Sequence, residues 1–244
     1  MSACIRCTAW LLIAVASALI WPSSFARADQ PADEPADEPA HEATDEPQDS
    51  QVRCANLVYA DGKTSVCFSD EFLKRIEQDS YIRAVPQFFP VQMESAELFD
   101  FPFSVMTGDG SFTLTPAQRD NLRQYLLHGG FVVASASCSS KAWNESFKQE
   151  IEQIFPGIEL EPLPAEHPVF HTVYDITSSR YKSGKRQLPR LEGLTLDGRI
   201  VLIWSPDGLN DTANAGPSCC CCGGNEIKEA QRINVNLLAY ALTH

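Results

Sequence analysis

Short apolar runs alternate with amphipathic segments from residue 52 to the C-terminus, and this alternation limits the fold more than any other feature of the chain. The clearest strand-like runs are residues 52–60, 101–107 and 131–136, and Thr115 with Pro116 suits the start of a helix between the last two. Parallel strands need long crossover connections, which are usually helices packed on both faces of the sheet. The sequence therefore predicts an α/β domain with a mainly parallel sheet and helices on both faces.

The C-terminal third departs from this simple alternation. Asp197-Gly198 separates the apolar residues 191–196 from residues 199–204, a pattern typical of a tight hairpin, so we expect an antiparallel hairpin at one edge of the sheet. A long loop over residues 205–224 follows, and we expect the last helix to begin at Asn225. The residues expected to pack this helix on the sheet are Ile227, Ile233, Leu237 and Ala241.

The first 28 residues have the layout of a secretory signal peptide. An apolar run over residues 10–21 follows Arg6, and Ala26-Arg27-Ala28 offers a small-residue cleavage site after Ala28. The run is short for a bilayer-spanning helix. We therefore expect export to the periplasm or the extracellular space, with no stable membrane span after signal cleavage. An uncleaved signal that stays as a membrane anchor is the alternative.

Residues 29–51 form an acidic segment rich in Pro, Ala, Asp and Glu. It carries nine acidic residues and no Lys or Arg, and it has no aromatic side chain to bury, so we expect a disordered linker. This leaves residues 52–244 as one α/β domain. The domain holds −6 of the total net charge of −13. Because phosphate binding needs clustered positive charge, this balance argues against a nucleic-acid partner.

The residues that directly follow the predicted strands are the first candidates for a site, since ligands of parallel α/β sheets bind at the carboxyl ends of the strands. Asp109 and Gly110 follow one strand, and Asp207, Asn210 and Asp211 follow another. These five residues are the predicted ligand-binding set. The leading hypothesis is a domain that binds a ligand or partner at this rim, with no reaction implied.

Cys138 supports a second hypothesis, a Cys-dependent hydrolase or amidotransferase-like enzyme. It sits where a strand turns into a helix, and a helix N-terminus stabilises a thiolate while backbone N–H groups receive an oxyanion. The candidate bases are His167 and His171, which are also compatible with a purely structural, hydrogen-bonded role. A buried cysteine that only fills the core is the alternative for Cys138.

Four consecutive cysteines, Cys219, Cys220, Cys221 and Cys222, support a third hypothesis, a metal-binding or redox role. Two of them, with a further cysteine, could ligate a soft metal ion or a metal cluster. Disulfides are the alternative in an oxidising compartment, for example Cys54 with Cys67 across a short loop. Inert thiols are the remaining interpretation.

A basic stretch runs against the acidic character of the chain. It predicts a contact for an anionic ligand, a contact for the acidic linker, or a solvated loop. Its members are Arg180, Lys182, Lys185, Arg186 and Arg190.

A linked series of motifs resembles the bacterial domain-of-unknown-function family numbered 4159 over nearly all of residues 52–244. The motifs are FPFSVMTGDGSF at 101–112, LRQYL at 122–126, GGF at 129–131, SFK at 146–148, FP at 155–156, HPVFH at 167–171 and YD at 174–175. The segments GLNDT at 208–212 and CCCCGGNEI at 219–227 resemble those of a subgroup within that family.

The resemblance implies a fold similar to the class I glutamine amidotransferase-like superfamily, which is a flavodoxin-like three-layer sandwich. In catalytic members of that superfamily the nucleophilic cysteine follows a strand, and Cys138 matches that place. Its neighbours Ser137, Ser139 and Ser140 differ from the glycines of the superfamily's Gly-x-Cys-x-Gly turn.

Overall fold

The computed structural model describes residues 51–64, 67–211, 213–214, 219 and 227–244. The predicted signal peptide, nearly all of the predicted linker, and Cys220, Cys221 and Cys222 lie outside the described residues. The described residues all belong to one compact unit, Pro47–His244. Within these ranges, every helix is too short or too polar to cross a bilayer.

In the described residues, seven strands form the main sheet, and the five consecutive strands that start at one edge are parallel. In spatial order these five are β2 (Ala84–Gln92), β1 (Val52–Val58), β3 (Phe103–Gly108), β4 (Phe131–Ala136) and β9 (Arg199–Ser205). Two antiparallel strands, β8 (Glu192–Leu196) and β5 (Glu161–Pro162), extend the sheet beyond β9. A separate antiparallel ribbon pairs β6 (Ser179–Arg180) with β7 (Arg186–Gln187).

Within the described ranges, four α-helices cover the sheet, two on each face. The helices α2 (Pro116–Leu127) and α3 (Lys141–Ile154) pack on one face, and α1 (Glu71–Asp79) and α4 (Gln231–Thr243) pack on the other. Each face has its own buried apolar cluster, and the sheet lies between the two. The result is a three-layer α/β sandwich, which confirms the predicted fold class.

Local residue types account for two predicted boundaries. The side chain of Thr115 accepts a hydrogen bond from Gln118 N, and the Gln118 side chain accepts one from Thr115 N, so a capping box starts α2 with Pro116 as its first residue. In the β8–β9 hairpin, Asp197 and Gly198 both have positive φ, of 50° and 80°, as a two-residue turn of this kind requires. Both predictions are confirmed.

The last helix begins later than the sequence predicts. It starts at Gln231, and Ile227 instead forms an isolated bridge with Tyr181 and donates its N–H to Gly208 O at 3.3 Å. The Asp211 carboxylate accepts a hydrogen bond from Ala230 N at 3.2 Å, which fixes the start of α4. The prediction that Ile227 packs from within the helix was wrong, because a residue from a distant loop supplies the cap.

Candidate functional site

Three adjacent strands end together at one edge of the sheet. Thr107 of β3 pairs in register with Ser135 of β4, which pairs with Ser205 of β9. The segments that leave these strands therefore start side by side, and the ligand-binding edge expected from the sequence lies here.

A cavity of about 490 Å³ opens at this edge, between α3 and the end of β9. One wall is a single face of α3, since residues three and four apart on a helix are neighbours. Asn144 on this face accepts a hydrogen bond from Trp204 Nε1 at 3.0 Å and donates one to Pro206 O at 3.1 Å. The lining residues are Ser139, Lys141, Asn144, Glu145, Lys148, Arg190, Trp204, Pro206 and Asp207.

Asp207 is the predicted ligand-binding residue that lines this cavity, and its charge is already compensated. Arg190 Nε donates to Asp207 Oδ1 at 3.0 Å, Arg190 Nη2 also binds that oxygen, and Tyr181 OH donates to Oδ2 at 2.7 Å. Burial is the main cause that raises the pKa of Tyr181 to about 12. The hydrogen bond to Asp207 raises the pKa of Arg190. In this ion pair the carboxylate is buried and the guanidinium faces outward.

The cavity is more positive than the domain around it. Lys148 Nζ lies 4.4 Å from the centre of the Trp204 ring and 3.6 Å from a carboxylate oxygen of Glu192 outside the lining. Three cations and two carboxylates line the cavity, whereas the whole domain carries a net charge of −6. The cations are Lys141, Lys148 and Arg190, and the carboxylates are Glu145 and Asp207.

Asp109 and Gly110 lie at the same edge but outside the cavity lining. Both are exposed. Gly110 N donates to Ser140 Oγ at 3.2 Å, and Lys63 Nζ donates to Asp109 O at 3.3 Å. Gly110 has a φ of +63°, which glycine adopts without strain.

Asn210 and Asp211 are buried and hold the chain in place. Ser69 N donates to Asn210 O at 3.0 Å, and the Asp211 carboxylate caps α4 and accepts from Asn214 Nδ2 at 2.7 Å. Burial raises the pKa of Asp211 despite these hydrogen bonds. The five predicted ligand-binding residues are thus divided: one lines the main cavity, two lie on the exposed rim, and two anchor the loop.

The basic stretch forms the β6–β7 ribbon and the segment after it. Arg190 reaches the main cavity, while Arg180 and Arg186 line a second cavity of about 270 Å³ near the start of α4. Arg180 forms an ion pair with Glu229 in that region. The stretch therefore contributes to two separate cavities.

Cys138 lies at a bend between β4 and α3, as the sequence predicts. Cys138 and Ser139 both have positive φ, of 60° and 50°, although neither is glycine. This backbone region costs roughly 1–2 kcal/mol per non-glycine residue. Ser140 then caps α3 by accepting from Trp143 N at 3.3 Å. The sulfur of Cys138 is disulfide-bonded, so it is not a thiolate in this state.

His167 lies at the opposite end of β4 from Cys138. Its ring is 5.5 Å from the ring of Tyr240, which lies 6.3 Å from the ring of Phe131, the first residue of β4. Cys138 lies two residues beyond the end of that strand, which is about 17 Å long. The structure does not bring these two predicted catalytic residues together. Burial and the nearby His244 lower the pKa of His167.

Both ring nitrogens of His171 are engaged. Nδ1 lies 2.9 Å from Asp175 Oδ1, and Nε2 lies 2.8 Å from Ala165 O. The hydrogen bond to Asp175 is the largest cause that raises the pKa of His171. These contacts agree with the structural, hydrogen-bonded role that was the alternative to a catalytic role for His171.

The cysteines pair differently from the example expected from the sequence. Cys67 forms a disulfide with Cys219, with the two Cα atoms 4.8 Å apart, and Cys54 is a free thiol. The expected Cys54–Cys67 pair was wrong because Cys54 is buried inside the sheet, whereas Cys67 lies in the loop beside Cys219. Burial raises the pKa of Cys54 to about 12.

The predicted metal site falls mainly outside the described ranges. Cys219 is held in its disulfide, and Cys220, Cys221 and Cys222 are not described. Among the residues that are described, no group of three His, Cys, Asp or Glu side chains is placed to hold a metal ion.

Sequence reasoning missed the α3 wall of the cavity. The polar face of this helix was a signal available in the sequence for that wall. Its residues are Lys141, Asn144, Glu145 and Lys148. Trp204 gave no such signal, since its position at the end of an apolar strand suits an ordinary core residue.

A protein-family model covers most of the domain. A family model described as a domain of unknown function, DUF4159, matches residues 53–242, a range that contains the whole of the cavity lining. Comparison with curated proteins finds no match for the chain.

Proposed function

We propose that this chain, which belongs to the domain-of-unknown-function family DUF4159, binds a small organic anion. The proposed site is the cavity beside Asp207. The observation that carries the proposal is the excess of positive charge around a cavity in a domain of net charge −6. Binding, with no reaction, is the function that this arrangement supports best.

Arg190 is suited to hold a carboxylate. A guanidinium has five N–H donors, and Arg190 binds the buried Asp207 through Nε and Nη2 while 64% of its side chain is exposed. The outward part of the same group can donate to a second carboxylate in the forked geometry that arginine favours. Lys148, on the facing helix, adds a second cation.

The rest of the cavity supplies an apolar surface. Trp204 and Pro206 form part of its lining, and the hydrogen bonds of Asn144 to both residues hold this wall in one position. A ligand with a carboxylate and a flat apolar body matches both surfaces.

Benzoate is a suitable probe because it has both features. Titration calorimetry at constant ionic strength should detect benzoate binding to the purified protein. Replacement of Lys148 with Gln removes one cation, leaves its half-buried partner Glu192 in place, and should weaken binding about tenfold, equivalent to about 1.4 kcal/mol. Lys185→Gln changes an exposed lysine outside the cavity and is the matched control. Equal affinity in the two variants, or no heat beyond the salt control, would refute the proposal.

The second candidate function is catalysis by Cys138. The observation that favours it is the left-handed backbone at Cys138 and Ser139, since strained residues cluster at functional sites. Such activity requires reduction of the Cys138 disulfide and a base other than the distant His167. Labelling of the gently reduced protein with a thiol-directed probe should mark Cys138 in the parent and not in Cys138→Ala. Absence of label on Cys138 in the parent would rule this candidate out.

The remaining expectations from the sequence are also proposals. We propose export with cleavage after Ala28, which N-terminal sequencing of the exported protein would test. A metal or redox role for Cys219–Cys222 predicts a metal adduct that appears in the native mass and disappears on denaturation. The superfamily assignment and the CCCCGGNEI subgroup rest on the motif resemblance.

A further inference from the structure

A row of three hydroxyl groups lies on the face of the sheet opposite the cavity. Thr107, Ser135 and Ser205 are in register across β3, β4 and β9. The preceding row on the same face is Val105, Val133 and Ile203, which are buried in the cluster beneath α1 and α4. The chemistry of the face therefore changes from apolar to polar within one row.

The hydroxyl row is fully enclosed. Thr107, Ser135 and Ser205 are all 0% exposed. Leu209 N donates to Ser135 Oγ at 2.6 Å, and Asn234 Nδ2 of α4 donates to Leu209 O at 2.9 Å. The loop after β9 thus closes over the row, with the first turn of α4 beside it. We call this enclosed row, together with Asn234, the hydroxyl chamber.

Three polar atoms of the hydroxyl chamber are unsatisfied within the part of the chain that the structure describes. Thr107 Oγ1, Ser205 Oγ and Asn234 Oδ1 are buried and have no hydrogen-bond partner there. A buried polar group without a partner is costly, and most such groups in folded proteins are satisfied by protein or by ordered water. Three of them in and beside one enclosed row of side chains point to a bound group.

We propose that the hydroxyl chamber binds ligands with O–H groups, and that water molecules are its resident occupants. A hydroxyl both donates and accepts. A cation would satisfy the lone pairs of Thr107 and Ser205 but leave both of their O–H groups without an acceptor, whereas water satisfies both and also donates to Asn234 Oδ1. Water is therefore the better chemical match.

The spacing of the strands sets the number of occupants. Thr107 and Ser205 lie on strands separated by β4, so their positions are about 10 Å apart, at 4.8 Å per strand. One water cannot bind both, because hydrogen bonds to oxygen are about 2.8 Å long. At least two waters occupy the chamber, one near each end of the row. A bound polyol would place its hydroxyl groups at the same positions.

Substitutions in the hydroxyl chamber distinguish bound water from a dry site, because they change the unfolding equilibrium constant in opposite directions in the two cases. If waters bind there, Thr107→Val and Ser205→Ala each lose hydrogen bonds and should raise the unfolding equilibrium constant about fivefold in urea denaturation. If the chamber is dry, the same changes remove an unsatisfied group and should lower that constant, which would overturn the proposal. Thr195→Val, at an exposed position of β8, is the matched control and should change it less than about twofold.

A high-resolution crystal structure identifies the occupant directly. Separate density peaks within hydrogen-bond distance of Thr107 Oγ1 and Ser205 Oγ would support water, and continuous density that links them would support a polyol of the same hydroxyl chemistry. An empty chamber would overturn the proposal. So would a cation there, recognised by a loss of stability when potassium and sodium are replaced by choline at equal ionic strength.

Discussion

Tyr59 shows at the scale of one residue how the carboxyl edge of the sheet is held together. Its hydroxyl accepts a hydrogen bond from Trp143 Nε1 at 2.6 Å and donates one to Thr107 O at 2.9 Å, and both rings are buried. It thereby joins β1, β3 and α3 at the point where the strands end. The position of the Tyr59 hydroxyl also explains why residue 108 is a glycine, because a Cβ there would lie 2.4 Å from the Tyr59 oxygen.

Replacement of Tyr59 with Phe should lower the free energy of unfolding by about 1–3 kcal/mol, because the Trp143 N–H and the Thr107 carbonyl lose their shared partner without any gain in volume. Urea denaturation followed by tryptophan fluorescence measures this loss. Tyr81→Phe removes a fully exposed hydroxyl and should leave stability unchanged. Equal stability of the two variants would mean that the Tyr59 bridge contributes nothing net.

Asp207 and Cys138 are residues whose position in the fold follows from the local sequence alone. Each is a polar or reactive residue two positions after the end of a strand, and both lie at the carboxyl edge as expected. Asn210 and Asp211 have the same local pattern but anchor the loop and do not line the cavity. Their role depends on Ser69 and Ala230, which are distant in sequence, so the local pattern alone does not distinguish an anchor from a ligand-binding residue.

At the scale of elements, the sequence predicted those whose signals are local. The start of α2 and the β8–β9 turn are determined by neighbouring residues, and both were predicted correctly. The start of α4 was not, because its cap comes from Asp211, 19 residues before Ala230. The two-residue strands β6 and β7 also escaped prediction, since runs this short have no periodicity.

The cap of α4 makes a prediction about pH. Burial raises the pKa of Asp211, so the folded state binds this proton more tightly than the unfolded state. Stability therefore falls as pH rises, from about pH 4, near the unfolded pKa of Asp, until the folded pKa is passed. Asp211→Asn has no such proton. The unfolding free energy of the parent minus that of the variant should fall with rising pH, by at most about 1.4 kcal/mol per pH unit.

Denaturant titrations of both proteins at several values from pH 4 to neutrality would measure this difference. The variant supplies the baseline, since all other titrating groups are shared. A difference that is flat or that rises with pH would show that the hydrogen bonds from Asn214 and Ala230 outweigh burial in setting the proton affinity of Asp211.

At the scale of the whole molecule, the Cys67–Cys219 disulfide connects the loop after β1 to the segment before α4. The two residues are 152 apart in sequence. Most of the sheet and three helices lie within this closed loop, so the disulfide restricts a large part of the unfolded chain. Its position beside the carboxyl edge also ties the loop that carries Asp207, Asn210 and Asp211 to the rest of the domain.

Replacing both Cys67 and Cys219 with Ser should therefore lower the free energy of unfolding by about 2–5 kcal/mol, mainly because the unfolded chain gains freedom. Urea denaturation without reductant measures the loss against the oxidised parent. The parent treated with dithiothreitol should lose at least as much, since reduction also opens the disulfide of Cys138. The buried Cys54 thiol stays unmodified under native conditions in both proteins, because burial raises its pKa to about 12 and the thiolate is the reactive form. A double variant as stable as the oxidised parent would show that native contacts already hold the two segments together, so that the disulfide adds no constraint that the fold lacks.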